Sequence, residues 1–182
     1  MSRVELTRGD DGSPLRYDRE SVHLRNSLVP KIDSTVAPKG AGSRYPAPFD
    51  EPCRGRSWVR LGDAAGLTQF GVNLVRLAPG AWSSQRHWHS HEDEFIYVLG
   101  GEVVLVTDAG EEVLRSGDSA GFRAGDRNGH CLQNRSNADV EFLVVGARHD
   151  ADHGEYPDID LKFSAGRYSG QGAYLHKDGT PY

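Results

Sequence analysis

Residues 93–115 read Asp93-Glu-Phe-Ile-Tyr-Val-Leu-Gly-Gly-Glu-Val-Val-Leu-Val-Thr-Asp-Ala-Gly-Glu-Glu-Val-Leu-Arg115. Two apolar runs flank the Gly100-Gly101 pair, and Asp108-Ala-Gly110 forms a second tight turn. Glycine tolerates the positive φ that such turns demand, and β-branched and aromatic residues suit a pleated, half-buried strand. The stretch therefore predicts strands over Asp93–Leu99, Glu102–Thr107 and Glu112–Arg115. Side chains alternate across a strand, so Glu94, Ile96 and Val98 share one face while Phe95, Tyr97 and Leu99 share the other.

The same signals recur outward from this stretch. Leu67–Leu77 alternates and is closed by Pro79-Gly80, and Ser119–Arg123, Cys131–Asn134 and Val140–Gly146 complete the series. No segment carries a sustained 3.6-residue period between helix caps. Short strands punctuated by glycine turns predict an all-β sandwich or barrel.

Proline marks the ends of the sheet region. Six of nine prolines (Pro14, Pro30, Pro38, Pro46, Pro48, Pro52) lie early, Pro157 and Pro181 lie late, and only Pro79 falls between. Proline cannot donate to a sheet ladder, so the ends read as extended arms. The predicted organisation is an N-terminal arm over 1–57, a β-barrel over 58–147 and a C-terminal tail over 148–182. Val36, Tyr45, Phe49, Ile159, Leu161, Phe163 and Tyr174 give the arms apolar surface to pack on the barrel or on a partner subunit. Long arms and open sheet edges together suggest a homodimer with exchanged N-terminal arms.

Composition narrows the class. The 182 residues carry 21 basic and 26 acidic side chains, a formal charge of −5. That balance offers no basic face for nucleic acid. The apolar runs are too short to span a bilayer, and Ser2 to Glu20 is polar, without a signal core. These features point to a soluble, cytoplasmic protein. The two cysteines, Cys53 and Cys131, do not make a disulfide framework.

Three of the eight histidines fall in His87-Trp-His-Ser-His91, directly before Glu92, Asp93 and Glu94. On a strand His87, His89 and His91 would share a face. A turn at 90–93 would reset the alternation, send His91 to the rim and point Glu94 inward. Enclosing imidazoles beside carboxylates is costly unless a cation compensates, and such donors suit Fe, Mn, Ni, Cu or Zn.

Gly80, His87-x-His89, four residues, Glu94, six residues and Gly101 together resemble the first motif of the cupin superfamily. Gly117-Asp118, Gly125, His130 and Asn134 resemble its second. The likeness covers roughly residues 58–147. Three departures affect loops: six residues rather than five separate Gly80 from His87, Arg123 replaces the usual proline, and two extra residues precede His130. Tyr156-Pro-Asp-Ile-Asp160 and His176–Tyr182 further resemble small bacterial single-domain cupins of the type-2 barrel. The resemblance implies a cupin-type double-stranded β-helix, a jelly-roll barrel with extended N- and C-terminal arms. It implies one divalent transition metal (Zn, Fe, Mn or Ni) on His87, His89, Glu94 and His130. His91, of the same parity as His87 and His89, is the rival ligand. Gln85, Tyr97, Arg123 and Gln133 are candidates for the surrounding shell.

All four lysines (Lys31, Lys39, Lys162, Lys177) lie in the arms, which leaves the barrel without a Schiff-base amine. No Gly-x-Ser-x-Gly elbow and no phosphate loop occur. The expected function is a metal-dependent enzyme acting on a small polar, oxygen-bearing substrate by isomerase-like, decarboxylase-like or dioxygenase-like chemistry. The alternative is a metal-holding barrel that binds a small ligand without turnover.

Overall fold

The computed structural model describes residues 31–182. Residues 1–30 of the expected N-terminal arm lie outside the described residues. The strands are β1 (Lys39–Ala41), β2 (Arg56–Arg60), β3 (Phe70–Leu77), β4 (Glu94–Gly100), β5 (Glu102–Thr107) and β6 (Gly110–Arg115), followed by β7 (Ser119–Phe122), β8 (Cys131–Gln133), β9 (Val140–Ala147), β10 (Gly154–Tyr156), β11 (Leu161–Phe163) and β12 (Tyr174–Leu175). One short helix, α1 (Leu61–Ala64), separates β2 from β3. None of the described helices is long and apolar enough to cross a membrane.

The six-stranded sheet has the order β1-β2-β3-β9-β4-β7, and a three-stranded sheet has the order β6-β5-β8. All their pairings are antiparallel. The core fills the space between them. Val75, Leu77, Ile96, Val98, Val140 and Phe142 from the larger sheet meet Val103, Leu105, Leu114 and Leu132 from the smaller. On β4, Ile96 and Val98 are 1% and 0% exposed, whereas Phe95, Tyr97 and Leu99 are 45%, 40% and 43% exposed, as the alternation requires.

The Gly100-Gly101 pair carries the chain from one sheet to the other. The register of β4 against β9 shifts between Val98 and Gly100, and Gly101 takes φ 81°. A side chain at Gly101 would also press on the backbone of Asp139 and Val140, with 3.0 Å to the Asp139 carbonyl oxygen. Positive φ and close backbone approach both select glycine.

The arms hold more regular structure than their prolines suggest. β1 extends the six-stranded sheet from residues expected to lie in the N-terminal arm, and the boundary drawn at 57/58 falls inside β2. The C-terminal tail forms its own sheet, β10-β11-β12. That sheet docks closely: a Cβ at Gly154 would stand 1.9 Å from the Trp88 carbonyl oxygen. Cys53 and Cys131 are free and buried, and burial pushes both thiols up to about 11.

Candidate metal centre

The segment between β3 and β4 carries the histidines, and a two-way backbone bridge places them. His87 N–H donates to the His130 carbonyl at 3.1 Å, and His130 N–H returns to the His87 carbonyl at 2.8 Å. The bridge brings two rings that are far apart in sequence to a centroid separation of 4.9 Å. Glu94 opens β4 on the inward row, beside them.

Hydrogen bonds define the donor atoms. The Gln85 carbonyl can only accept, so His87 Nδ1, 2.9 Å away, carries the proton and His87 Nε2 keeps its lone pair. His89 Nδ1 lies 2.7 Å from Asp152 Oδ2. Burial opposes ionisation of Asp152, but hydrogen bonds from His89 and the His91 N–H and the charge of Arg167 outweigh it. The ionised carboxylate can only accept, so His89 Nδ1 carries a proton, and in the neutral ring Nε2 keeps its lone pair. These two Nε2 atoms face each other 3.1 Å apart. Two acceptors at that distance repel unless a proton or cation lies between them.

The remaining groups complete a compact donor set. Glu94 Oε2 is 3.9 Å from His89 Nε2, and Glu94 Oε1 is 3.6 Å from His130 Nε2. Both ring nitrogens of His130 are buried without a hydrogen-bond partner among the described residues. The His130 ring stacks on Phe122 at 3.6 Å with 2° between planes. Ligand atoms of His87, His89 and Glu94 all lie within 4.8 Å of one another. Donors each about 2.1 Å from a metal stand roughly 3.0–3.5 Å apart at octahedral or tetrahedral angles. Unpartnered imidazole nitrogens, opposed lone pairs and a carboxylate therefore fit a divalent transition metal.

Electrostatics points the same way. Burial opposes the charged form of Glu94, yet His130, His87 and His89 overcome it and hold the carboxyl at about 2. Burial, and then the His130 and His89 rings, push His87 well below the ordinary imidazole value of 6.5, against the opposing effects of Glu94 and the Gln85 carbonyl. A histidine with a depressed folded-state pKa contributes stability above its unfolded value and loses it as pH falls. Metal-free protein is therefore expected to lose stability as pH falls from 6.5. Glu94 adds nothing to that limb, because its contribution is complete above 4.5 and fades only towards about 2. Urea denaturation at several pH values checks this: His87→Gln should flatten the limb below 6.5. An unchanged slope would show that His87 is not its source.

The other residues marked in the sequence divide. Gln85 is buried and contacts the site through its backbone carbonyl, while its side-chain Nε2 donates to the Phe49 carbonyl at 2.7 Å. Arg123 lines a cavity of about 280 Å³ together with Trp88, His89, Phe122, Asp126 and His130. Tyr97 is corrected: it stands on the outer face of β4, where the alternation with Ile96 and Val98 puts it. Gln133 is corrected as well. It shares a face with Cys131 and accepts from Arg135, turned away from His130. His91 is exposed, stacks on His149 at 5.0 Å and bonds Ser90 Oγ at 2.7 Å, apart from the donor set.

Sequence reading missed the tail's part in the site. Asp152 holds His89, Tyr156 stacks on His87 at 5.7 Å, and Phe163 packs on the His89 ring at 5.3 Å. Tyr45 and Tyr174 support Tyr156 in turn. The only signal in the sequence was the concentration of aromatic residues within proline-marked arms.

Two antiparallel sheets enclosing a core, with a His/His/Glu/His cluster at one end, define the class, and the chain belongs to the cupin superfamily. The cupin domain model matches residues 73–146. The chain is 48% identical to a sugar phosphate isomerase of the cupin superfamily from Silicibacter pomeroyi, covering 84% of this chain and 96% of that one with a TM-score of 0.79. A structure from Acidithiobacillus ferrooxidans with a provisional sugar phosphate isomerase assignment is 28% identical, covering 70% of this chain and 80% of that one, with a TM-score of 0.63. A polyketide cyclase from Streptomyces resistomycificus shares the fold at 21% identity and a TM-score of 0.54, over 65% of this chain and 78% of that one. No curated protein matches significantly.

Proposed function

We propose that this cupin is a metal-dependent enzyme acting on a small hydroxylated carbonyl compound of the sugar phosphate type, by isomerase-like proton transfer. The observation that carries the metal reading is the approach of the His87 and His89 Nε2 atoms to 3.1 Å beside the Glu94 carboxylate. His87, His89, Glu94 and His130 would hold one divalent ion, Zn, Fe, Mn or Ni. When bound there, such an ion would supply Lewis-acid polarisation of a substrate carbonyl, which favours loss of a proton from the neighbouring carbon.

This chain's own residues would bind and orient the substrate. The cavity beside His89 and His130 has the volume for a small molecule, about 280 Å³. Arg123 has no ion-pair partner among the described residues and offers a cation to an anionic substituent at the rim. Phe122 and Trp88 are the aromatic side chains that line this cavity. The 48%-identical sugar phosphate isomerase supports isomerisation over the decarboxylase-like and dioxygenase-like alternatives.

Incubating metal-loaded protein with a panel of aldose and ketose phosphates in deuterated water tests the reading. Deuterium should enter the carbon next to the carbonyl as the two sugars interconvert, and His89→Ala should abolish the exchange. Carbon dioxide release or dioxygen uptake instead would replace isomerisation with the corresponding alternative. Tight ligand binding without turnover would make the protein a binding barrel.

A further inference from the structure

Behind His89 lies a buried polar web of carboxylates that stand outside the donor set. Asp152, between β9 and β10, is 1% exposed. Its Oδ2 accepts from His89 Nδ1 at 2.7 Å, and its Oδ1 accepts from the His91 backbone N–H at 2.9 Å and from Ser90 Oγ at 3.3 Å. Arg167, beyond β11, reaches in from the tail. Its Nη2 lies 3.4 Å from Asp152 Oδ2 and also pairs with Glu92 Oε2. Glu92 Oε1 accepts from the His149 N–H at 2.9 Å. Every carboxylate oxygen in the web thus has a donor, and one guanidinium offsets two buried carboxylates.

We propose that Asp152, steadied by Arg167, is a positioning residue that locks His89 as its Nδ1–H tautomer and so aims Nε2 at the metal. The inference rests on the metal reading given above. Free imidazole favours the opposite tautomer, so an unheld His89 would place a proton on the atom that must ligate. A carboxylate on the far nitrogen removes that choice, fixes the ring plane and raises ligand basicity. It also makes the tail part of the site, because Asp152 and Arg167 both come from the 148–182 segment. The alternative is that the web only anchors the tail, in which case its loss would lower stability and leave the tautomer and the metal affinity alone.

The test compares full-length wild type, Asp152→Asn and Asp152→Ala. Long-range proton–nitrogen NMR of the histidine rings in metal-free protein reads the tautomer, and competition with a chromophoric chelator reads Zn affinity. In wild type His89 should carry its proton on Nδ1. Asp152→Ala should move it to Nε2 and weaken Zn binding by about 10–100-fold. Asp152→Asn keeps an accepting oxygen, so it should retain the Nδ1–H form in part and lose less affinity. It also supplies the reading should the alanine variant not fold. Retention by the folded variants of both the wild-type tautomer and wild-type Zn affinity would overturn the role of Asp152. Wild-type protein that binds no Zn would instead overturn the metal reading itself, an outcome separate from the first.

Discussion

Protein purified without chelator or nickel resin is expected to carry about one equivalent of metal, and Glu94→Ala and His89→Ala about a tenth of that or less. Glu94 is the one carboxylate in the donor set, and its removal leaves three neutral imidazoles to hold a divalent charge in a largely enclosed site. His89 supplies the Nε2 atom that faces His87 Nε2 at 3.1 Å, so its loss breaks the closest pair of donors. Activity should fall with occupancy, and added metal should restore neither. His91→Ala is the matched control. That ring is exposed, stacked on His149 and bonded to Ser90, so full occupancy should survive its removal. Elemental analysis of the three variants decides the point. An empty site in His91→Ala with a full one in His89→Ala would make His91 the ligand in place of His89.

Phe142→Ala is expected to cost the fold about 3–5 kcal/mol, the range for an aromatic side chain deleted from a close-packed core. Phe142 is 0% exposed and pairs with Val75 on β3 and Val98 on β4, both inward-facing. Its ring fills the centre of the six-stranded sheet's inner face, where strands on both sides limit collapse into the space left behind. The melting temperature should drop by roughly 6–20 °C for a chain of this size. Phe95→Ala is the comparison, because Phe95 is 45% exposed on the opposite face of the neighbouring strand, and it should cost less than about 1 kcal/mol. Urea denaturation of metal-free samples measures both without a contribution from ligand binding. Equal losses for the two variants would mean that the inner face is not the principal core.

Much of the sheet was legible because burial on one face leaves a period of two in the sequence. The strands β3 to β9 fall where alternation and glycine turns put them, to within a few residues. Glu94 could be separated from Glu92 and Asp93 because it begins an inward row with Ile96 and Val98. The outward place of Tyr97 follows from that same parity. β1, β2 and the tail sheet were hidden, since strands of two to five residues among prolines show too few alternations to stand out. The passage at Gly100-Gly101 from one sheet to the other was equally hidden, because a glycine pair marks a turn without saying which sheet follows it.

By itself the sequence determined the all-β class and the inward and outward rows of its longer strands, and it marked His87, His89 and Glu94 as candidate donors, with His130 added by the likeness to the cupin motifs. These are local properties, carried by side-chain type and a spacing of two. The tertiary structure alone decided which distant groups complete the site. Asp152 meets His89 across 63 positions, and Arg167 reaches Glu92 across 75. Such contacts depend on how the tail sheet docks against the segment at Trp88, where Gly154 leaves no room for a side chain. No local pattern encodes a contact of that range, because it forms only when two separately folded surfaces pack and their buried charges must find partners.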